Sequence, residues 1–221
     1  QNDIGSSNWD EYAAHIQGHG NLGSIYPKNK WGVEGDTPSY LHVLPNGLND
    51  PSVPEMTGWG GRFEWGEGMD KETFCYTNHA EGQKSISQKY EHYFYPAIFN
   101  NFAARMDWAA NGEGNRNPVV VVNGSKGFEI IETDAAAGEV VGLDASGTYD
   151  PEDDGLIYRW WVMPEAGTYE GRIVVSGASS EVASVKIPAD ATGKNIHVIC
   201  EVKDNGTPEL TSYRRVIINV R

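Results

Sequence analysis

The sequence predicts an α+β chain: a helical, loop-rich first half followed by an antiparallel β-sandwich. Three observations carry this. Tyr90, Phe94, Ile98, Phe102 and Met106 recur at near four-residue spacing, the period of one helical face. After Pro118 the apolar pattern changes to period two, in short runs divided by turn residues. Between residues 45 and 84 neither period is present, and Gly, Pro, Asp and Trp are frequent.

The elements follow in order. Ser7-Asn-Trp-Asp10 places a hydroxyl three residues before a carboxylate, the capping-box arrangement. Trp9, Ala13 and Ile16 then share a helical face, and Gly18 ends the turn. A second short helix is expected from Asp36, with Pro38 in its first turn, where a missing N–H costs nothing. Residues 45–84 read as loops. So long a structureless stretch suggests that this half leans on something larger. A long helix spans roughly Ile86 to Ala110, and Pro96 should kink or split it. Residues 111–118 read as a linker. Strands are expected at Val119–Val122, Phe128–Ile131, Glu139–Leu143, Leu156–Val162, Arg172–Val175, Val182–Ile187, Ile196–Val202 and Tyr213–Val220. The domain boundaries are therefore 1–110, a linker 111–118, and a sandwich 119–221. The sandwich is expected to fold independently, and the first half to depend on contacts with the sandwich or an absent partner.

Composition narrows the function. The net charge is −14. It is shared evenly: residues 1–117 carry 8 basic and 15 acidic side chains, and 118–221 carry 9 and 16. Nucleic-acid binding needs a basic face and is excluded on this ground. No run approaches the ~18 apolar residues of a membrane span. Gln1-Asn-Asp has neither the basic start nor the apolar stretch of a signal peptide. Cys75 and Cys200 fall in different predicted domains, and Cys200 lies in an apolar alternating run. That favours a buried inert thiol over a Cys75–Cys200 disulfide.

Several residues carry candidate chemistry. Trp59, Arg62 and Trp65 flank glycines, which leaves the indoles free of neighbouring bulk. Sugar rings have apolar faces suited to indoles, and their hydroxyls accept from Arg, so this loop is a glycan-binding candidate. The alternative is that the tryptophans pack against a missing domain, with the glycines permitting close approach. His15 and His19 are four apart, but Gly18 and Gly20 interrupt the helix a zinc pair would need. Asp150-Pro-Glu-Asp-Asp-Gly155, with Asp144 before it, is an acidic loop. Pro and Gly make it an acidic turn, and it lacks the full spacing of an EF-hand loop. Trp160 and Trp161 are adjacent on a strand and must face opposite sides. One is expected in the core, and the other exposed or against the first half. No Gly-x-Ser-x-Gly elbow, phosphate loop or cysteine zinc motif is present.

A resemblance adds to this. Gly18-His-Gly-Asn-Leu-Gly-Ser-Ile-Tyr-Pro27, Glu34-Gly-Asp-Thr-Pro-Ser-Tyr-Leu41, Pro45-Asn-Gly-Leu-Asn-Asp50, Gly58-Trp-Gly-Gly-Arg-Phe63 and Ala103-Ala-Arg-Met-Asp-Trp108 resemble the end of the nucleoside-hydrolase-like domain of bacterial exported proteins described as cellulose-binding. Leu143-Asp-Ala-Ser-Gly-Thr-Tyr-Asp-Pro-Glu-Asp-Asp154 resembles PKD and related immunoglobulin-like modules, and Asp204-Asn-Gly-Thr-Pro208 with Tyr213-Arg-Arg-Val-Ile217 fits that family's C-terminal domain.

The resemblance implies the C-terminal portion of a longer extracellular or periplasmic protein, with a polysaccharide or small glycan and the absent N-terminal part as partners. It makes Asp36 a candidate late calcium ligand, although Gly35 stands where nucleoside hydrolases carry His and an Asp before Thr-Pro is also a helix cap. It makes His19 a candidate pocket residue, and, because some PKD-type modules bind calcium near such an acidic loop, it makes Asp150, Asp153 and Asp154 candidate calcium ligands. Asp36 and His19 are expected near Trp59, Arg62 and Trp65. The leading expectation is a non-catalytic, carbohydrate-associated portion. The alternatives are part of a calcium-dependent hydrolase of N-ribosidic or glycosidic bonds whose aspartate cluster lies upstream, and a structural spacer or docking module.

Overall fold

A computed structural model describes residues 9–26, 37–68, 70–78 and 83–221. The first half contributes α1 (Trp9–His15), α2 (Gly20–Gly23), α3 (Thr37–Val43), a hairpin of β1 (Glu64–Glu67) and β2 (Phe74–Thr77), and α4 (Gln83–Asn111). The hairpin lies inside the segment read above as structureless. Its strands are four residues long and mix acidic, Gly and aromatic positions, so no apolar alternation announces them. Helix α4 is 29 residues long and runs unbroken through Pro96, so the proline does not split it. Proline removes one ladder hydrogen bond, a cost of about 3 kcal/mol. Tyr90, Phe94 and Ile98 on either side of it are buried in a common core, which outweighs that loss.

The second half has β3 (Val121–Val122), β4 (Ser125–Lys126), β5 (Ile131–Ala135), β6 (Val140–Asp144), β7 (Ile157–Val162), a 3-10 turn at Pro164–Ala166, β8 (Val175–Ser176), β9 (Val182–Lys186), β10 (Asn195–Lys203) and β11 (Thr211–Val220). Two sheets form the sandwich, a four-stranded one ordered β5-β11-β10-β7 and a three-stranded one ordered β6-β9-β8. Pairing is antiparallel except for β5 against β11, which is parallel. That pair is closed by the whole intervening chain, since parallel neighbours need a crossover.

Period two sorts the four-stranded sheet into two apolar faces. Val216, Ile218 and Val220 of β11, Ile196, Val198, Cys200 and Val202 of β10, and Trp160 of β7 point inward, against Leu143, Ala183, Val185 and Ile187. The odd-numbered residues Ile199, Tyr213 and Trp161 point outward and pack against Tyr90, Phe94 and Ile98 of α4 and against Leu41, Leu48 and Trp59. The molecule therefore has three layers: helix and loops, a sheet buried on both faces, and a second sheet. Trp160 is the core member of its pair, and its indole N–H reaches the Ser180 carbonyl at 2.9 Å. Trp161 contacts the first half, with its ring 5.2 Å from that of Tyr93. A third small core joins Tyr12 of α1 and Ile16, just beyond it, to Phe99, Ala103 and Met106 of α4.

Arg215 holds the loop layer down. It is fully buried on the outward face of β11. Its guanidinium donates to the carbonyls of Leu48 and Thr57 and, at 2.9 Å, to His197 Nδ1. Because Arg can only donate, His197 Nδ1 must accept, which leaves the ring proton on Nε2. The Arg215 backbone N–H bonds the Gly47 carbonyl at 2.9 Å. Gly47 has φ +85, and a Cβ there would meet the Tyr213 carbonyl oxygen at 2.1 Å, so only glycine lets the loop lie this close.

Two predictions follow from this buried group. Arg215→Ala leaves two buried carbonyls without donors and opens a cavity, so a loss of about 3–5 kcal/mol is expected in urea unfolding. Arg215→Lys should recover little of it, because an ammonium cannot match the planar fork. A small loss for either variant would show that the loop is held by its apolar contacts alone.

The second concerns acid. Burial first, then the Arg215 and Arg62 charges, lower the His197 pKa from 6.5 to about 3. The unfolded chain therefore takes up the proton first as pH falls. Stability from the neutral ring is whole above pH 6.5 and is withdrawn towards pH 3. The slope should reach at most about 1.4 kcal/mol per pH unit per such histidine. His42, also lowered by burial, adds in the same direction. His197→Asn keeps an acceptor near the Nδ1 position, and its urea midpoint should fall less steeply between pH 7 and pH 4. An unchanged slope would assign the acid limb to other groups.

Candidate functional site

The β1–β2 hairpin sorts its side chains by the same alternation. Trp65 lies opposite Tyr76, and Glu67 opposite Phe74, so these four share one face. That face is open: Trp65 is 61% exposed, Phe74 61% and Tyr76 45%. The Trp65 and Tyr76 rings meet edge to face with centroids 5.4 Å apart. Glu55 stands beside the Tyr76 hydroxyl and raises its pKa, by its charge and by accepting a hydrogen bond. The patch thus pairs apolar ring faces with the carboxylates of Glu55 and Glu67. The turn is pinned by Asp70, whose carboxylate accepts from the backbone N–H groups of Glu72 and Thr73, each at 3.1 Å.

Arg62 and Trp59 support this hairpin from behind. Arg62 Nη2 bonds Glu64 Oε1 at 2.8 Å, and Nη1 donates to the carbonyl of Glu165 in the 3-10 turn. Its backbone N–H reaches Ser87 Oγ at 3.1 Å. One side chain thus ties β1 to the sandwich, and the backbone beside it is tied to the start of α4. Its donors are already engaged. Trp59 sits in a tight turn whose ends, Gly58 and Gly61, exchange two backbone hydrogen bonds of 3.0 Å. Its ring is 3% exposed and packs edge-on to Tyr213 at 6.2 Å. Its faces are therefore closed to a ligand, and the packing that closes them is against the sandwich of this same chain, not against an absent domain. Of the three loop residues singled out in the sequence, only Trp65 presents an open ring.

His19 is elsewhere. Its Nδ1 pairs with Asp107 at 3.0 Å and its Nε2 with the Ala14 carbonyl at 2.5 Å. Asp107 and Ser87 are twenty residues apart on α4, about 30 Å along its axis. His19 and Arg62 thus lie at opposite ends of this helix, and the expected grouping of His19 with the tryptophan loop is not formed. Asp36 lies outside the described residues.

The acidic loop is partly self-satisfied. Asp150 Oδ1 accepts from the backbone N–H groups of Glu152 and Asp154 at 2.9 and 3.2 Å. Glu152 pairs with Arg116 at 2.9 Å. Asp153 is exposed, with φ 62. Among the described residues no three His, Cys, Asp or Glu side chains converge as a metal site, so Asp150, Asp153 and Asp154 do not form one among themselves. Both cysteines are unpaired, and burial pushes the Cys200 thiol well up, as expected of an inert core thiol.

Between α4 and the sandwich lie two partly buried polar networks. Tyr90 donates to Glu165 Oε2 at 2.5 Å, and Lys89 pairs with Glu165 Oε1 at 2.6 Å. Burial alone would raise the Glu165 pKa, but hydrogen bonds from Lys89 and Tyr90 outweigh it and the net shift is downward. Tyr93 and the Trp161 indole both donate to Glu201 Oε2, at 2.7 and 3.0 Å, and Arg159 donates to the Tyr93 oxygen at 2.7 Å. These networks fix the helix on the sheet.

Sequence reasoning missed Phe74, Tyr76 and Glu55. Their signal was available only in part: Phe74-Cys-Tyr76 alternates, but nothing in the sequence pairs it with Trp65.

Comparisons with known proteins follow the same division of the chain. Residues 1–63 match the family model described as "Cellulose-binding Sde182, nucleoside hydrolase-like domain". Residues 140–220 match "Cellulose-binding protein Sde0182, C-terminal domain". A solved structure of a nucleoside hydrolase-related hypothetical protein from Saccharophagus degradans, described as associated with carbohydrate metabolism, is 41% identical with a TM-score of 0.85. The match covers 100% of this chain and 55% of that one, so the chain spans about half the length of this relative. The PKD domain of KIAA 1837 protein is 20% identical over 42% of this chain and 81% of that one, and human CDH23 EC21-23 is 14% identical over 47% and 33%. Their TM-scores of 0.31 and 0.34 are too low to bear on function. No curated protein matches. No helix of the described residues is long and apolar enough to cross a membrane. Models of the nucleoside hydrolase-like domain and of the C-terminal domain, both described as cellulose-binding, thus match this chain in that order, and the Saccharophagus degradans protein aligns with the whole of it.

Proposed function

We propose that the protein is a non-catalytic, polysaccharide-binding portion of an extracellular or periplasmic bacterial protein, and that the contact is the aromatic face of the β1–β2 hairpin. The observation that carries this reading is the exposed cross-strand pair Trp65–Tyr76, extended by Phe74 and bordered by Glu55 and Glu67. Leaving three neighbouring aromatic side chains half in water forgoes a part of the about 1.5–3 kcal/mol that full burial of each would bring, and a contiguous apolar patch of this kind marks an interaction surface. Ring faces suit the apolar faces of a sugar, and the carboxylates accept from its hydroxyls. The matches to two domain models described as cellulose-binding support a polysaccharide as the ligand.

The geometry also limits the ligand. Trp65 and Tyr76 stand at 71° to one another, so they form a wedge rather than a flat strip. A wedge grips one or two rings of a single chain better than the plane of a crystalline fibre. Each ring should contribute about 1 kcal/mol, so binding is weak and falls several-fold per ring removed.

Retention should be measured on insoluble cellulose and on soluble oligosaccharides. Trp65→Ala and Tyr76→Ala are expected to lower retention several-fold with unchanged urea midpoints, since both side chains are exposed. Trp59→Ala should do the reverse, losing about 3–5 kcal/mol of stability through its cavity, with retention kept wherever the chain remains folded. Equal retention by the parent, Trp65→Ala and Tyr76→Ala would overturn the assignment of the site.

A further inference from the structure

The junction between α4 and the sandwich holds a second feature that the hairpin does not explain. Three buried side chains there each keep one oxygen with no hydrogen-bond partner: Asp150 Oδ2, Asp204 Oδ2 and Asn115 Oδ1. Asp204 is 0% exposed, Asp150 6% and Asn115 8%. In each, the other polar atom is fully engaged. Asp204 Oδ1 accepts from the backbone N–H groups of Gly206 and Leu210 at 3.0 and 2.9 Å, and from Asn115 Nδ2 at 3.1 Å. Asn115 Nδ2 also donates to the Pro208 carbonyl at 2.8 Å. Asp150 Oδ1 is held by two backbone amides of its own loop. Each group is thereby locked in one orientation with an acceptor left bare.

The three come from separate parts of the chain: the segment after α4, the β6–β7 loop and the β10–β11 loop. They lie together. Asn115 and Asp204 are hydrogen-bonded, and the charge of Asp150 acts on Asp204. A Cβ placed on Gly206 would lie 2.3 Å from Asn115 Nδ2 and 2.6 Å from Asp154 Oδ2, so this cradle exists only because residue 206 has no side chain. The cationic side chain next along the chain, Arg116, is turned to Glu152.

Bare buried acceptors are costly, and charged ones more so. Two carboxylate oxygens and an amide oxygen form the kind of oxygen donor set that a hard divalent cation takes, and calcium tolerates such mixed, irregular oxygen shells better than magnesium does. We propose that Asp150, Asp204 and Asn115 form a calcium site that clamps the segment after α4 to the two loops at this end of the sandwich. Asp154 borders it. Asp153, exposed and outside the cradle, takes no part. The site differs from the acidic loop read in the sequence, since two of its three donors lie outside that loop. It is also independent of the polysaccharide reading.

The test uses the full chain. The thermal midpoint is measured in chelator and across a calcium series to about 10 mM, above the weak end of protein calcium sites, with magnesium in parallel and calorimetric titration for stoichiometry. A saturable rise in midpoint with one calcium bound per chain, and a smaller response to magnesium, is expected. Asp204→Asn and Asp150→Asn keep the amide contacts and should lose most of the response, as should Gly206→Ala, whereas Asp153→Asn should keep it. Terbium in place of calcium should show sensitised emission, because the Trp108 indole N–H bonds the Asn115 carbonyl at 2.8 Å. No calcium binding by the parent chain, or a response that Asp153→Asn removes and Asp204→Asn does not, would overturn the proposal. Stabilisation by acid in place of calcium would also overturn it, by showing that a shared proton serves the two carboxylates instead.

Discussion

The molecule depends on one buried cation. Arg215 is closed off from water on the outward face of the central sheet, and its hydrogen bonds go to two backbone carbonyls and a neutral histidine rather than to a carboxylate. Burial lowers its pKa to about 9, so it remains charged at neutral pH. A buried charge without good partners is strongly destabilising. Here the partners are the loop itself. The carbonyls of Leu48 and Thr57 reach Arg215 only if residues 47–57 lie flat across β11, so the cost of burying the cation becomes a constraint on the loop. A Gly- and Pro-rich segment that buries little on its own is thereby given a single course over the sheet.

The rest of the first half builds on that course. Beyond Thr57 the chain makes the tight turn that inserts Trp59 beside Tyr213, then reaches Arg62, which joins β1 to the 3-10 turn of the sandwich. Helix α4 closes the layer from the other side through stacked aromatics and the Glu165 and Glu201 networks. Because β10 and β11 are covered on both faces, almost every residue of β11 is buried, polar ones included. This resembles the burial of a strand inside a layered α/β sheet more than that of an ordinary two-sheet sandwich with one wet face. The two halves share one core, and the outward sheet face is not a free surface.

The hairpin is the part of this layer that keeps its apolar face in water. Its backbone is held by Arg62 and Ser87 behind and by Asp70 at the turn. The aromatic pair therefore sits on a short but well-anchored support. A ligand meeting rings already held in place need not order them, which matters for a contact whose gain per ring is small.

The sequence alone determined the order and type of the larger elements. The four-residue aromatic spacing specified α4, and period two with turn residues specified the sandwich strands, because these signals are local and repeat over many residues. The opposed roles of Trp160 and Trp161 followed from alternation alone. Only the tertiary structure decided which loop aromatics were open. Trp59 and Trp65 look alike in sequence, each between small or acidic neighbours, yet one fills a core and the other faces water. That difference is set by Arg215, some 150 residues away in the chain, which fixes where the loop crosses the sheet. The same holds for Asn115 and Asp204, whose bare oxygens meet Asp150 only because three segments distant in sequence close on one another. Periodicity reports which face of an element is apolar; it carries no record of which faces will meet, because that depends on long-range packing that no local window contains.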